Sequence, residues 1–258
     1  MSTPEDVPVK SIARMAELLQ KLQRADGAGV SQLAGELDVS KSTVYNHLTS
    51  LKEYGYVVQE GNEYFVGLGF LDHGEYARGR QVGYQLIREK VRAVANETGE
   101  LCQYLVEEHG LGTFIIRELG DQAVETSTRI GNSVYLNHVT AGKALLAYLS
   151  AERVEEIIAQ HGLPGKTERT ITSRDELDSE LQAIRERGYA IDREEHLKGL
   201  YAIGAPIRHN DGEVLGAISV AGPANRINRQ QRKEEIAQIL LEKTNEVELT
   251  LEHSPGNV

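Results

Sequence analysis

The sequence predicts an α+β protein in two domains. Three observations carry that expectation. Residues 30–67 have helix-turn-helix spacing followed by a glycine-containing hairpin, residues 101–221 carry mostly antiparallel strand signals, and amphipathic helices flank that strand region. The expected layout is a winged helix-turn-helix over 9–67, a linker helix over 68–80 and a larger α/β domain over 81–258.

Ile12, Met15, Ala16, Leu18, Leu19 and Leu22 form one apolar stripe, so Val9 to Arg24 is the first helix, ended by Asp26-Gly27-Ala28-Gly29. Val30, Leu33, Ala34 and Leu37 repeat at helical spacing and give a short second helix. Asp38-Val39-Ser40 supplies a tight turn, with Ser40 as the N-cap of a third helix. That helix buries Val44, Leu48 and Leu51, and Gly55 stops it. Gly61-Asn62 then turns a hairpin between Tyr56–Glu60 and Glu63–Val66, which forms the wing. From Leu68 to about Arg80, Leu68, Phe70, Leu71 and Tyr76 sit among charges and glycines. This linker helix reads equally as one covered by a partner and as a solvated tether.

In the larger domain a helix over Val82–Glu97 precedes strands at Leu101–Val106, Gly112–Ile116 and roughly Ala123–Thr128. Helices follow at Ala141–Leu149 and, opened by Ser150, at Ala151–Gln160. Ser173 and Glu176 make a capping box for a helix reaching Arg187. Strands at Tyr189–Asp192, Ala202–Arg208 and Val214–Ala221 come next, the last two joined through Asn210-Asp211-Gly212. Asn228 and Gln231 open a closing helix through about Leu251.

The third helix leaves Lys41, Ser42, Thr43, Tyr45, Asn46 and Thr49 on or near its open face. Small hydroxyls, a tyrosine, an amide and a lysine on the first turns of an exposed helix suit the DNA major groove. Ser40, Lys41, Ser42, Thr43, Tyr45, Asn46 and Thr49, with Asn62 on the wing, are therefore the expected contacts to a double-stranded operator. The alternative is an enzyme or a small-molecule sensor whose helix-turn-helix mediates protein contacts only.

Charge argues in the other direction. The chain carries a net charge of −11, and residues 1–80 hold 8 Lys plus Arg against 11 Asp plus Glu. Phosphate binding needs a basic footprint, which here reduces to Lys10, Arg14, Lys21, Arg24, Lys41 and Lys52. Two readings stand open: base-specific contacts with few phosphate contacts, or operation at high salt.

The remaining composition excludes several classes. A single cysteine, Cys102, permits no internal disulfide and reads as a small core residue. The eight histidines include no pair at helical ligand spacing, so neither metal nor cofactor is expected. No Gly-x-Ser-x-Gly, phosphate loop or His-Glu-x-x-His occurs, and the expectation is that the chain is not an enzyme. With no apolar run near 18 residues and no signal-peptide core, it is expected to be cytoplasmic.

Three segments together resemble the IclR family of transcriptional regulators. They are the winged helix with Ser42-Thr43-Val44-Tyr45, the stretch Thr140-Ala141-Gly142-Lys143-Ala144-Leu145-Leu146-Ala147, and the run from Gly188-Tyr189-Ala190-Ile191-Asp192 through Ile203-Gly204-Ala205-Pro206-Ile207 to Ala217-Ile218-Ser219-Val220-Ala221. The resemblance implies a homodimer or homotetramer on a palindromic operator and a GAF-like C-terminal domain. That domain would bind a small effector, commonly an organic acid. Carried over residue by residue, the effector site is Thr140, Ala141, Asp192, Ala202, Ser219 and Ala221. Ala202 and Ala221 stand where relatives often carry a thiol and a second serine, and Asn46 where many carry arginine. Read without the family, Asp192 beside Glu194 and Glu195 fits a solvated acidic loop. Lys143 fits a solvated helix residue or a partner for an acid.

Overall fold

The computed structural model describes residues 8–253, which fall into two compact units that meet between Ala77 and Arg78. The first unit contains α1 (Lys10–Ala25), β1 (Ala28–Gly29), α2 (Val30–Glu36), α3 (Lys41–Glu53), β2 (Val57–Glu60) and β3 (Glu63–Val66). The helix α4 (Gly69–Gly79) carries the unit boundary within it.

Leu18 and Leu22 of α1, Leu33 of α2, and Val44, Leu48 and Leu51 of α3 close one core over Val57 and Tyr64. The strands pair antiparallel in the order β1-β3-β2, with Gly61 at φ 61° in the wing turn. The left-handed conformation costs glycine little, which is why the hairpin turns there. Along α4 no residue is buried, but Tyr56 stacks on Phe70 at 4.6 Å and its hydroxyl meets His73 Nε2 at 2.7 Å. Leu68, Leu71 and Tyr76 stay exposed.

The second unit contains α5 (Tyr84–Thr98), β4 (Leu101–Glu108), β5 (Leu111–Leu119), β6 (Ser133–Tyr135), α6 (Thr140–Leu146), α7 (Ala151–His161) and α8 (Arg174–Arg187). It continues through β7 (Ala190–Arg193), β8 (Leu200–Arg208), β9 (Val214–Pro223), α9 (Ala224–Ile227) and α10 (Gln230–His253). Its six strands form one antiparallel sheet, ordered β6-β5-β4-β9-β8-β7.

Side chains alternate across a strand, so each strand feeds two faces. Cys102 and Tyr104 of β4, Ile203 and Ala205 of β8, and Ile218 and Val220 of β9 pack with α5 and α10. Leu105 of β4 and Ala217 of β9 face the other way, against α6, α7 and α8. Both faces of the sheet are therefore covered, and a polar residue on the α6 face is enclosed.

Two sequence expectations change. Residues 123–128 form a loop rather than a strand: Gln122 N–H donates to Gly99 O and Ala123 N–H to Gly120 O, which folds the chain back as a turn. The edge strand comes later, where Ser133–Tyr135 pairs with Leu111–Thr113. At the C-terminal end Asn228 closes α9, and the long helix begins at Gln230. Ser40, Ser150 and Ser173 accept from the backbone N–H three residues on, as N-caps do.

Candidate DNA-reading helix and effector cavity

On α3, the buried positions Val44, Leu48 and Leu51 fix the helix by one face. Helical spacing then brings Ser42, Tyr45, Asn46 and Thr49 to the opposite side, where all four are exposed. Lys41 and Asn62 are exposed as well, and Thr43 is half-buried. Ser40 is committed locally: its oxygen accepts from Thr43 N–H at 3.1 Å and lies 2.8 Å from Thr43 Oγ1. Among the described residues no partner engages the Asn46 side chain, which leaves its amide available for an adenine edge.

The cation supply around this helix is thin. Lys21 pairs with Glu36 at 3.2 Å, Arg14 donates to Leu37 O and Lys52 to Gln59. At the wing tip Glu60 and Glu63 face each other directly across the strands. Like charges in that position repel one another and any phosphate brought near.

The second unit holds a small cavity of about 30 Å³ on the α6 face of the sheet. Thr140, Asp192, Ala202, Ser219 and Ala221 line it, while Ala141 is buried without lining it. Thr140 can sit against the sheet because β8 has a glycine beneath it. A Cβ on Gly204 would lie 2.7 Å from Thr140 Cγ2. Gly142 meets the same demand on the other side, where a Cβ would come within 2.2 Å of Leu136 O.

Lys143, next in that helix, is neither solvated nor marginal. It is fully buried, donates to Ile191 O at 2.8 Å and pairs with Glu195. That ion pair closes the turn after β7. Glu195 N–H donates to Asp192 Oδ1 at 2.7 Å, and the Thr167 and Thr170 hydroxyls donate to the Glu195 carbonyl at 3.0 and 2.7 Å. Asp192 and Glu195 are therefore core residues, which corrects the reading of a solvated acidic loop; only Arg193 and Glu194 of that turn reach the surface.

Burial, with the Glu195 charge next to it, pushes the Asp192 carboxyl up to about 7. His196 moves the other way, down to about 4, through burial and the Lys166 charge. Asp192 and His196 are the ionisable side chains on the cavity wall; no Lys or Arg lines it among the described residues.

Residue-level reading of the sequence missed Gln103, Thr126, Thr128 and His196, which also line the cavity. Gln103 carried a signal: it interrupts the apolar run Leu101-Cys102-Gln103-Tyr104-Leu105-Val106.

Two family models match the chain. One, the IclR helix-turn-helix domain, covers residues 11–61; the other, the bacterial transcriptional regulator IclR C-terminal domain, covers residues 84–248. The chain belongs to the IclR family. Among curated IclR-family relatives, the probable HTH-type transcriptional regulator ArcR of Halobacterium salinarum is 30% identical over 95% of this chain and 94% of its own. HTH-type transcriptional regulator KdgR of Escherichia coli is 30% identical over 90% and 89%. Transcriptional repressor IclR of the same organism is 28% identical over 96% and 92%. The solved IclR of Thermotoga maritima superposes with a TM-score of 0.78 at 26% identity, covering 94% of this chain and 97% of that one. A putative regulator from Rhodococcus shares the fold at a TM-score of 0.81 and 22% identity, covering 93% and 97%. This IclR-family chain is thus a DNA-binding transcriptional regulator with an effector-binding C-terminal domain, not an enzyme. No described helix is long and apolar enough to cross a membrane.

Proposed function

We propose that this regulator binds a two-fold symmetric operator as a homodimer or homotetramer in the cytoplasm, and that a small organic acid in the Asp192 cavity alters its grip on DNA. The observation that carries the DNA reading is the open face of α3, with Ser42, Tyr45, Asn46 and Thr49 exposed side by side. Lys41 and Thr43 flank that face, and Asn62 of the wing completes the contact set. Ser40 serves as the cap that orients it.

Thr140, Asp192 and Ser219 supply the polar contacts to the effector, and Ala202 and Ala221 its apolar floor. Ligand binding acts as a coupling free energy between the two sites. A coupling of about 1–3 kcal/mol changes operator affinity roughly 5- to 150-fold. Operator position relative to the promoter decides whether the outcome is repression or activation.

Genome-wide footprinting with the purified full chain tests this directly. The expected result is discrete sites with inverted half-sites whose centres lie about 10 base pairs, or a multiple of that, apart. Uniform, sequence-independent protection would contradict it. Sedimentation at operator-binding concentrations tests the dimer or tetramer.

A further inference from the structure

Ala202, Ser219 and Ala221 on the cavity floor are buried, and two stretches of chain cover them. At about 30 Å³ the cavity has room for one or two waters. Pockets that enclose organic ligands run to about 300 Å³ and above. An effector therefore needs one of the covers to move.

One cover, the turn after β7, is tied down. Glu195 pairs with buried Lys143, the Thr167 and Thr170 hydroxyls donate to its carbonyl, and Gly199 N–H donates to the Glu194 carboxylate at 2.7 Å. The other cover is residues 124–128, which are anchored only at their two ends. Just before them Gln122 N–H donates to Gly99 O at 2.8 Å, and Arg226, held by Glu100, donates to Gln122 O at 2.7 Å. Just after them Arg129 N–H donates to Asn132 Oδ1 at 2.7 Å and Gly131 N–H to Phe114 O at 2.8 Å. Among the described residues, no hydrogen bond involves the five positions between. Ala123 rests on Leu101, Ala202 and Ala221, and Thr126 and Thr128 line the cavity while Glu125 and Ser127 are exposed. A segment held this lightly opens at low cost while the core stays folded.

We propose that residues 124–128 are a gate hinged at those two anchors, and that an effector enters only when the gate swings off the alanine floor. With the gate shut, Thr126 Oγ1 and Gln103 Nε2 are buried with no partner in the chain; opening returns both to water. The gate rests on the effector reading above and says how a molecule reaches that site: it binds the open population.

Thiol labelling of the full chain tests the gate without any effector. Native Cys102, fully buried on the α5 and α10 face of the sheet, reports global unfolding. Thr126→Cys reports the gate, Ala202→Cys the floor, and Glu125→Cys, on the exposed side of the same segment, the unprotected rate. An open state populated at about 0.1–10% slows labelling about 10- to 1,000-fold relative to Glu125→Cys. That protection is expected to be shared by Thr126→Cys and Ala202→Cys and to change little in low urea, whereas Cys102 reacts only as the chain unfolds. Replacing residues 124–128 with five glycines is expected to bring Ala202→Cys towards the unprotected rate.

An Ala202→Cys that reacts as slowly as Cys102, or as fast as Glu125→Cys, would overturn the gate. So would a rate that the glycine segment leaves unchanged, because entry would then lie elsewhere. The effector reading fails separately, when the small-molecule fraction of a cell extract leaves operator affinity unchanged although the gate opens.

Discussion

Asn46 and Asp192 carry the sharpest consequences at the scale of single residues. Asn46 is exposed on the reading face of α3 and has no role in the core below it. Asn46→Ala is expected to cost about 1–3 kcal/mol of specific operator binding. Its non-specific affinity and its melting temperature should match wild type. Gel shifts with operator and scrambled duplexes measure both, and equal operator affinities would remove Asn46 from the interface.

Asp192 makes stability depend on pH. Its folded pKa, about 7, lies above its ordinary value of 3.8, so the folded state holds that proton more tightly than the unfolded one. Its contribution is greatest below about pH 4, is lost as pH rises towards 7, and then stays level. The groups around it are Glu195, Lys143 and His196, with Lys166 behind His196. Urea melts at pH 5 and pH 8 should show wild type losing on the order of 2 kcal/mol more than Asp192→Asn. Identical pH dependence in the two proteins would contradict a raised Asp192.

Elements differ in how far the sequence alone discloses them. Ser40, Ser150 and Ser173 cap the helices expected of them, because a cap is a local device spanning three residues. The open face of α3 was equally legible, since Val44, Leu48 and Leu51 dictate which side is left. Long-range partners were not. Lys143 and Glu195 are separated by 52 positions, and nothing near either residue announces a buried ion pair. The loop through Thr126 and Thr128 looked like a strand because threonine and valine favour extended chain. What decides the matter is whether a neighbouring edge exists, and β5 pairs with Ser133–Tyr135 instead. Five of the six effector-site residues drawn from the family resemblance do line the cavity, while Gln103 and His196 belong to no short motif.

The wing yields a prediction of its own. Glu60 and Glu63 oppose each other beside Gly61-Asn62, on the wing that we propose meets the DNA. Replacing both with glutamine relieves that repulsion. Operator binding should tighten, and non-specific binding should tighten by a larger factor; competition titrations read both. A double variant with unchanged affinity for either DNA would mean that the wing tip stays clear of the duplex.

The whole molecule carries −11, and the six cations before Ala77 include three already engaged within the chain. Few phosphates can therefore be neutralised. Three free cations per chain would give a dimer about six side-chain phosphate contacts at most, so the slope of log affinity against log salt should be no steeper than roughly −5. Titrations from low to high potassium chloride measure it. A slope near −10 would demand a basic surface that this chain lacks. Both readings of the acidic composition, base-led binding and work at high salt, call for that shallow dependence.

The facing glutamates at the hairpin tip also bear on how such a protein finds its target. Bulk chromosome offers backbone charge at every step but the right bases at few. A tip that rejects backbone charge lowers the hold of the chromosome at large, while the base contacts proposed for α3 would survive only at the true sequence. Fewer copies are then lost to decoy positions, and a small pool of regulator suffices to keep its operator occupied.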